Sequence, residues 1–108
     1  MTNRTLNLDS ALYHYLLDVS LRETPLLKRL REETAQLSTA RWQIAPEQGQ
    51  FMALLVQLIG ARRIVEVGTF TGYSAICMAQ AMPEDGQLIC CDIPGEYNAT
   101  AERYWREA

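Results

Sequence analysis

The chain has a single histidine and three cysteines, with no CxxC spacing and no second ligand cluster, so neither a zinc site nor a disulfide framework is offered. Cys90 and Cys91 are neighbours, and neighbours on a strand point to opposite faces, which makes them a poor metal pair. With Cys77 they read as reduced, mostly buried thiols of a cytoplasmic protein. A long apolar run is also missing, and "MTNRTLNLDS" has no apolar core of a leader, so the sequence reads as soluble, with no membrane partner. Basic excess is absent: Asp and Glu number 13 against 10 Lys and Arg, a formal net charge of -3, which speaks against a nucleic-acid surface. Internal repeats and low-complexity tracts are lacking too. What remains, 108 residues at 48% hydrophobic and 21% charged, is an ordinary globular composition sufficient for one domain.

The first half reads as three helices. "LDSALYHYLLDVS" sets Leu8, Leu12, Leu16 and Val19 on one face, with Asp9 or Ser10 as N-cap. "TPLLKRLREETAQL" starts with Thr24 as cap and Pro25 at the first helical position, and its apolar face is Leu26, Leu27, Leu30 and Leu37. Lys28–Glu32 and Arg29–Glu33 are spaced to pair on its solvated side. After an irregular link from Ser38 to Ala45, Pro46 opens a third helix. There Phe51, Leu54, Leu55, Leu58 and Ile59 form a stripe expected to face the core, and Gly60 is placed to end the helix.

From there the period changes. "RIVEVG" and "QLICCDI" are short apolar strands, "TGYSAICMAQAM" between them is helical, and "GEYNATAERYWREA" returns to helix with Tyr97, Ala101, Tyr104, Trp105 and Ala108 on one face. The result is β-α-β-α, the unit of a parallel sheet covered by helices. We therefore divide the chain into a helical segment, 1–60, and the first half of an α/β ligand-binding unit, 61–108. Two parallel strands make a poor sheet alone, and the last helix shows no stop signal, so the expectation is the front part of a larger protein.

The stretch "VEVGTFTGYS" joins strand to helix through two glycines. Gly68 lets the chain bend, and Gly72 lets the backbone approach a ligand or the strand. A dinucleotide fingerprint would read GxGxxG; the spacing here is Gly68-Thr-Phe-Thr-Gly72, and the pyrophosphate signature is missing. Glu66, two residues before the first glycine, would repel a pyrophosphate and suit an ammonium or sulfonium group. Asp92, at the end of the second strand, is placed to accept hydrogen bonds from ribose hydroxyls. An amine-bearing ligand with a ribose describes S-adenosylmethionine better than NAD. The bland alternative, an incidental strand–helix turn, stays open on pattern alone.

"VEVGTFTGYSAICMAQAMPEDGQLICCDI", with "LREETAQL" and "APEQGQFMALLVQLIGARRIVEVGT" before it and "EYNATAERYWREA" after, closely resembles the cation-dependent O-methyltransferases of the caffeoyl-CoA and catechol type. These are class I S-adenosylmethionine-dependent enzymes, and the similarity covers essentially the whole chain. It implies a Rossmann-like α/β fold, represented here by the N-terminal helices and the first β-α-β-α of the sheet. By this resemblance Glu66 and Gly68 lie along the methionine part of the cofactor and Thr69 follows in the same loop. Gly72 completes the turn, Ser74 meets the carboxylate end, Asp92 binds the ribose, and Ile44 closes over the cofactor mainly through its backbone. It also implies transfer of a methyl group to a hydroxyl of a catechol-like or other small phenolic acceptor. A divalent, magnesium-like cation is bound in the intact enzyme through later residues, and the expected assembly is a homo-oligomer, a dimer. No catalytic base and no metal ligand are assigned within these 108 residues.

Other residues carry less. His14 reads as an exposed or interfacial helix residue, Trp105 as core, and Tyr73 as packing the helix start against the sheet; for Trp42, stacking on a cofactor and simple packing stand level. Arg4 resembles a basic position used near the substrate, although a terminal arginine is usually only solvated. Two rival readings remain: a nucleotide-binding oxidoreductase fragment, and a non-enzymatic assembly module that keeps the fold.

Overall fold

A computed structural model describes residues 7–108; Arg4 lies outside the described residues. Helix α1, Ser10–Ser20, is capped by Asp9, whose Oδ1 accepts the Leu12 N–H at 2.8 Å. Helix α2, Pro25–Thr34, starts as its sequence dictates, with Thr24 Oγ1 accepting from Leu27 N–H at 3.3 Å and Pro25 first in the helix. It stops short of the expected Leu37, because the Gln36 and Leu37 amides turn back to carbonyls three residues earlier. A 3-10 turn, Ala40–Trp42, leads to α3, Pro46–Ile59, closed by Gly60. Strand β1, Arg63–Val67, and strand β2, Gln87–Cys91, flank α4, Tyr73–Ala79, and α5, Glu96–Glu107, completes the order. Helix α4 also ends earlier than its apolar pattern, with the Ala81 and Met82 amides again bonded to i−3 carbonyls. Among the described residues no helix is long and apolar enough to cross a membrane.

β1 and β2 pair in parallel, with Ile64 beside Leu88, Glu66 beside Cys90 and Val67 beside Cys91. Leu27 and Leu30 of α2, Tyr73, Ile76 and Cys77 of α4 and Tyr104 of α5 form the core, with Leu26, Ile44 and Trp105 packed on it. The helical segment and the β-α-β-α unit thus share one core. The face assigned to α5 is correct at Ala101 and Tyr104, while Ala108 is exposed.

Several expectations are overturned. The large stripe of α3 does not face the core: Phe51, Leu54 and Leu55 are exposed, and Leu58 and Ile59 are 70% and 76% exposed. The buried side of α3 is Pro46, Gly49 and Val56. Close approach selects it, since a Cβ on Gly49 would lie 2.8 Å from Cys77 Sγ and 3.0 Å from the Tyr73 ring. Only a small-residue face lets α4 come so near, and the bulky stripe turns outward. Tyr73 does not pack toward the sheet; it joins Leu27 and Leu30 in the core and donates its hydroxyl to Glu23 Oε1 at 2.8 Å. Arg31 holds the same carboxylate with two 2.8 Å bonds.

Arg29 and Glu33 do not pair along α2. Arg29 reaches Glu107, and Glu33 takes Arg103 and, at 2.7 Å, the Tyr104 hydroxyl, so these charges tie α2 to α5. Lys28–Glu32 does form, at 3.9 Å on an exposed face, where such pairs are worth little. The cysteines are free as expected, but only Cys77 is buried; Cys90 is half-buried and Cys91 exposed. Helix α1 buries none of its residues, and Leu8, Leu12 and Val19 are exposed. It is held by Tyr13 donating to Glu47 at 2.9 Å and by Gln50, which bridges the Ser20 carbonyl and the Arg22 amide, both at 2.7 Å. His14 is exposed on this helix.

Candidate functional site

The turn from β1 to α4 has positive φ at alternate residues: 91° at Gly68, 51° at Phe70 and 87° at Gly72. Phe70 is the one non-glycine in that region among the described residues, a conformation that costs an L-residue roughly 1–2 kcal/mol. Asp92 offsets this. Leaving β2 beside the turn, it accepts the Thr69 and Phe70 amides on Oδ2 at 2.8 and 2.9 Å, and its neighbour's amide, Ile93 N–H, on Oδ1 at 2.7 Å. These amides, Phe70 first, hold the Asp92 carboxyl below the usual carboxylate range, so an exposed anion stands at the carboxyl ends of both strands.

Glu66 behaves oppositely. It is half-buried toward α4, and burial pushes its carboxyl upward. The Ser74 hydroxyl, donating to Oε2 at 2.5 Å, and the more distant Cys90 thiol, 3.9 Å from Oε1, pull it partly back, while the Asp92 charge adds to the upward push. Burial, then the Glu66 charge, pushes Cys90 up to about 11, so it stays a thiol at neutral pH. Thr69 is buried, and its Oγ1 is the one buried side-chain oxygen or nitrogen among the described residues with no well-formed hydrogen bond; the Cys90 thiol is close enough to feel it. Such a group normally finds a partner.

The residues expected in a cofactor site do not all share one cavity. Ile44, Gly68, Thr69 and Ser74 line one cavity of about 70 Å³, roofed by Trp42 and Gln43. Gly68 and Asp92 also line a larger one of about 640 Å³, with Trp42, Phe70, Ile93 and Tyr97. Glu66 lines neither and reaches the first through Ser74. Gly72 stands apart: a Cβ there would lie 2.6 Å from Trp105 Nε1, and the indole donates to the Gly72 carbonyl at 3.4 Å. Its glycine is required by α5 as well as by φ, whereas a Cβ on Gly68 would meet nothing within 4 Å. Trp105 is therefore the packing residue expected of it.

Sequence reasoning missed the association of Trp42, Phe70 and Tyr97. The three rings meet edge to face, with centroids 5.7 Å apart for Trp42–Phe70, 4.8 Å for Phe70–Tyr97 and 6.1 Å for Trp42–Tyr97. The three lie in segments remote in sequence, so no local pattern joins them. It also missed the buried Thr34–Thr71 hydroxyl pair at 2.9 Å, which ties the end of α2 to the glycine turn. Among the described residues no three His, Cys, Asp or Glu side chains gather as a metal site.

The O-methyltransferase family profile matches residues 17–108. The chain is 38% identical over 100 residues to catechol O-methyltransferase domain-containing protein 1 of Mus musculus, covering 93% of this chain and 38% of that protein. It is 40% identical over 96 residues to caffeoyl-CoA O-methyltransferase 2 of Petunia hybrida, with 87% and 40% covered. Its fold superposes on the O-methyltransferase from Bacillus cereus in complex with SAH with a TM-score of 0.80 at 29% identity, over 89% of this chain and 44% of that one. The chain spans about two fifths of the length of these relatives.

Proposed function

Because the chain belongs to the O-methyltransferase family, we propose that it binds S-adenosylmethionine at the carboxyl ends of β1 and β2 and serves methyl transfer to a hydroxyl of a catechol-like or other small phenolic acceptor. The observation that carries this reading is the pairing of a fixed, exposed carboxylate, Asp92, with an open Gly68 and an unpartnered, buried Thr69 hydroxyl beside adjoining cavities. A donor with both hydrogen-bonding and cationic groups fits that set, and the B. cereus relative holds SAH, the donor's demethylated product.

When bound, the donor supplies a methyl group on a sulfonium sulfur, which leaves behind a neutral thioether. The chain's part is to bind and orient. Asp92 presents its carboxylate to ribose hydroxyls, with three backbone amides fixing its direction. Glu66 lends negative potential to the cationic end and fixes the Ser74 hydroxyl, which leaves the Ser74 oxygen free to accept at the small cavity that Ile44 closes. Gly68 leaves the approach clear.

The likeness to caffeoyl-CoA O-methyltransferase extends the proposal to a divalent cation in the whole enzyme, held through residues that follow these 108. Homodimeric assembly and a cytoplasmic setting complete the reading, the latter in keeping with three free cysteines. Calorimetry with S-adenosylhomocysteine and with NAD tests it: heat with the first is expected, and heat with NAD alone would return the oxidoreductase reading. One observation favours a second reading, an assembly module: the β1–β2 ladder has a bare apolar face. Binding of neither ligand together with stable oligomers would select it.

A further inference from the structure

We infer that Tyr97 is a positioning residue for the donor, a latch that ties the 38–45 link to the glycine turn at the wall of the larger cavity; the inference rests on the donor-site reading above. Tyr97 opens α5 a few residues beyond Asp92, and its side chain makes three contacts with two other segments. Its ring meets Phe70 of the glycine turn at 4.8 Å and Trp42 of the 3-10 turn at 6.1 Å. Its hydroxyl shares a 2.8 Å hydrogen bond with Thr39 Oγ1.

Tyr97 completes the hold on both segments. Thr39 precedes the 3-10 turn but makes no side-chain capping bond, so its hydroxyl is free for Tyr97. Phe70 sits at φ 51°, and a residue in that conformation persists where its surroundings over-determine it. Asp92 fixes its backbone and the Trp42 and Tyr97 rings fix its side chain. Trp42 and Phe70 line both the small and the large cavity, while Tyr97 lines only the large one. The latch therefore sets the wall where the two cavities adjoin. Beyond Asp92, α5 then serves the donor site through a ring and a hydroxyl as well as through packing.

The test is a double-mutant cycle on the chain, Tyr97→Phe, Thr39→Val and both together, with S-adenosylhomocysteine as probe. Losing one net hydrogen bond predicts that each single variant binds about three- to fivefold more weakly. Because both remove the same bond, the double variant should bind no worse than either single. Hydrogen exchange without ligand supplies an independent readout: amides of residues 38–45 should exchange faster in Tyr97→Phe, with those of α3 and α4 unchanged. Wild-type affinity in both single variants, losses that multiply in the double, or exchange unchanged at 38–45 would each overturn the latch while leaving the donor reading intact. Failure of the wild-type chain to bind the probe overturns the donor reading and the inference that rests on it.

Discussion

Ile64, Glu66, Leu88 and Cys90 lie on one face of the β1–β2 ladder and are half-buried beneath α4, whereas Val65, Val67 and Ile89 on the other face are 65%, 84% and 58% exposed. Both faces carry residues suited to burial, as expected of strands from a parallel sheet. Only one has its cover among the residues described. The covered face also carries the chemistry, since Glu66 meets Ser74 there. Apolar character in a strand thus reports that burial is called for, and says nothing of what supplies it.

The largest test of the contrast is Ile76→Ala. Ile76 of α4 is 2% exposed within the core, and truncating such a residue should cost about 2–5 kcal/mol of unfolding free energy in urea titration. Ile89→Ala, on the bare face, should cost well under half as much. Equal losses would mean that the two faces are equally covered in solution.

The glycine turn permits a second, smaller contrast. Gly72→Ala meets Trp105 as well as an unfavourable φ, and should destabilise by about 2–4 kcal/mol, by the strain and overpacking together. Gly68→Ala meets only the φ, so about 1–2 kcal/mol is expected. On donor binding the order should reverse relative to stability, because Gly68 faces the cavities and Gly72 faces α5. Matching stability losses at the two positions would show that Trp105 yields easily.

These contrasts mark what was legible beforehand. Both strands, the Thr24 and Pro25 start of α2 and the placement of Glu66, Gly68 and Asp92 follow from local pattern, because strand runs, caps and turns are decided by neighbours in sequence. The face of α3 was misread because apolar periodicity locates a stripe but cannot say whether a closer-fitting one exists; Gly49 against Cys77 decided that. Arg29 and Glu33 were misassigned for a similar reason: spacing along α2 cannot show that Glu107, Arg103 and Tyr104 of α5 lie nearer. The aromatic group came from three segments remote in sequence, and no local rule joins Trp42, Phe70 and Tyr97.

Glu66 offers a pH test of the covered face, with a smaller effect expected. Burial raises its folded pKa above the ordinary value of 4.5, so between the two values the folded chain binds more protons than the unfolded one. Its contribution to stability therefore declines as pH rises through that window and levels off above the folded pKa. Glu66→Gln should remove the decline and stabilise the chain at neutral pH while weakening S-adenosylhomocysteine binding. An unchanged pH–stability curve in the variant would show that water reaches the carboxylate freely from the α4 side.

The smallest stability effect belongs to the bare face, where association is the informative readout. Val67 is among the most exposed apolar residues described, on a strand whose outer edge has no partner among the described residues. Exposed strand edges with apolar side chains promote pairing between chains, and lysine on such an edge opposes it. Val67→Lys should change unfolding free energy by less than about 0.5 kcal/mol, since little contact is lost. Sedimentation velocity should nevertheless show self-association in the wild-type chain and a shift toward monomer in the variant. If the wild-type chain sediments as a single monomer across concentrations, the bare face is tolerated in water and the contrast with the covered face loses its consequence for assembly. If it associates and Val67→Lys leaves that unchanged, the contact does not depend on this position, and Leu58 and Ile59 on the outward stripe of α3 are the residues to replace next.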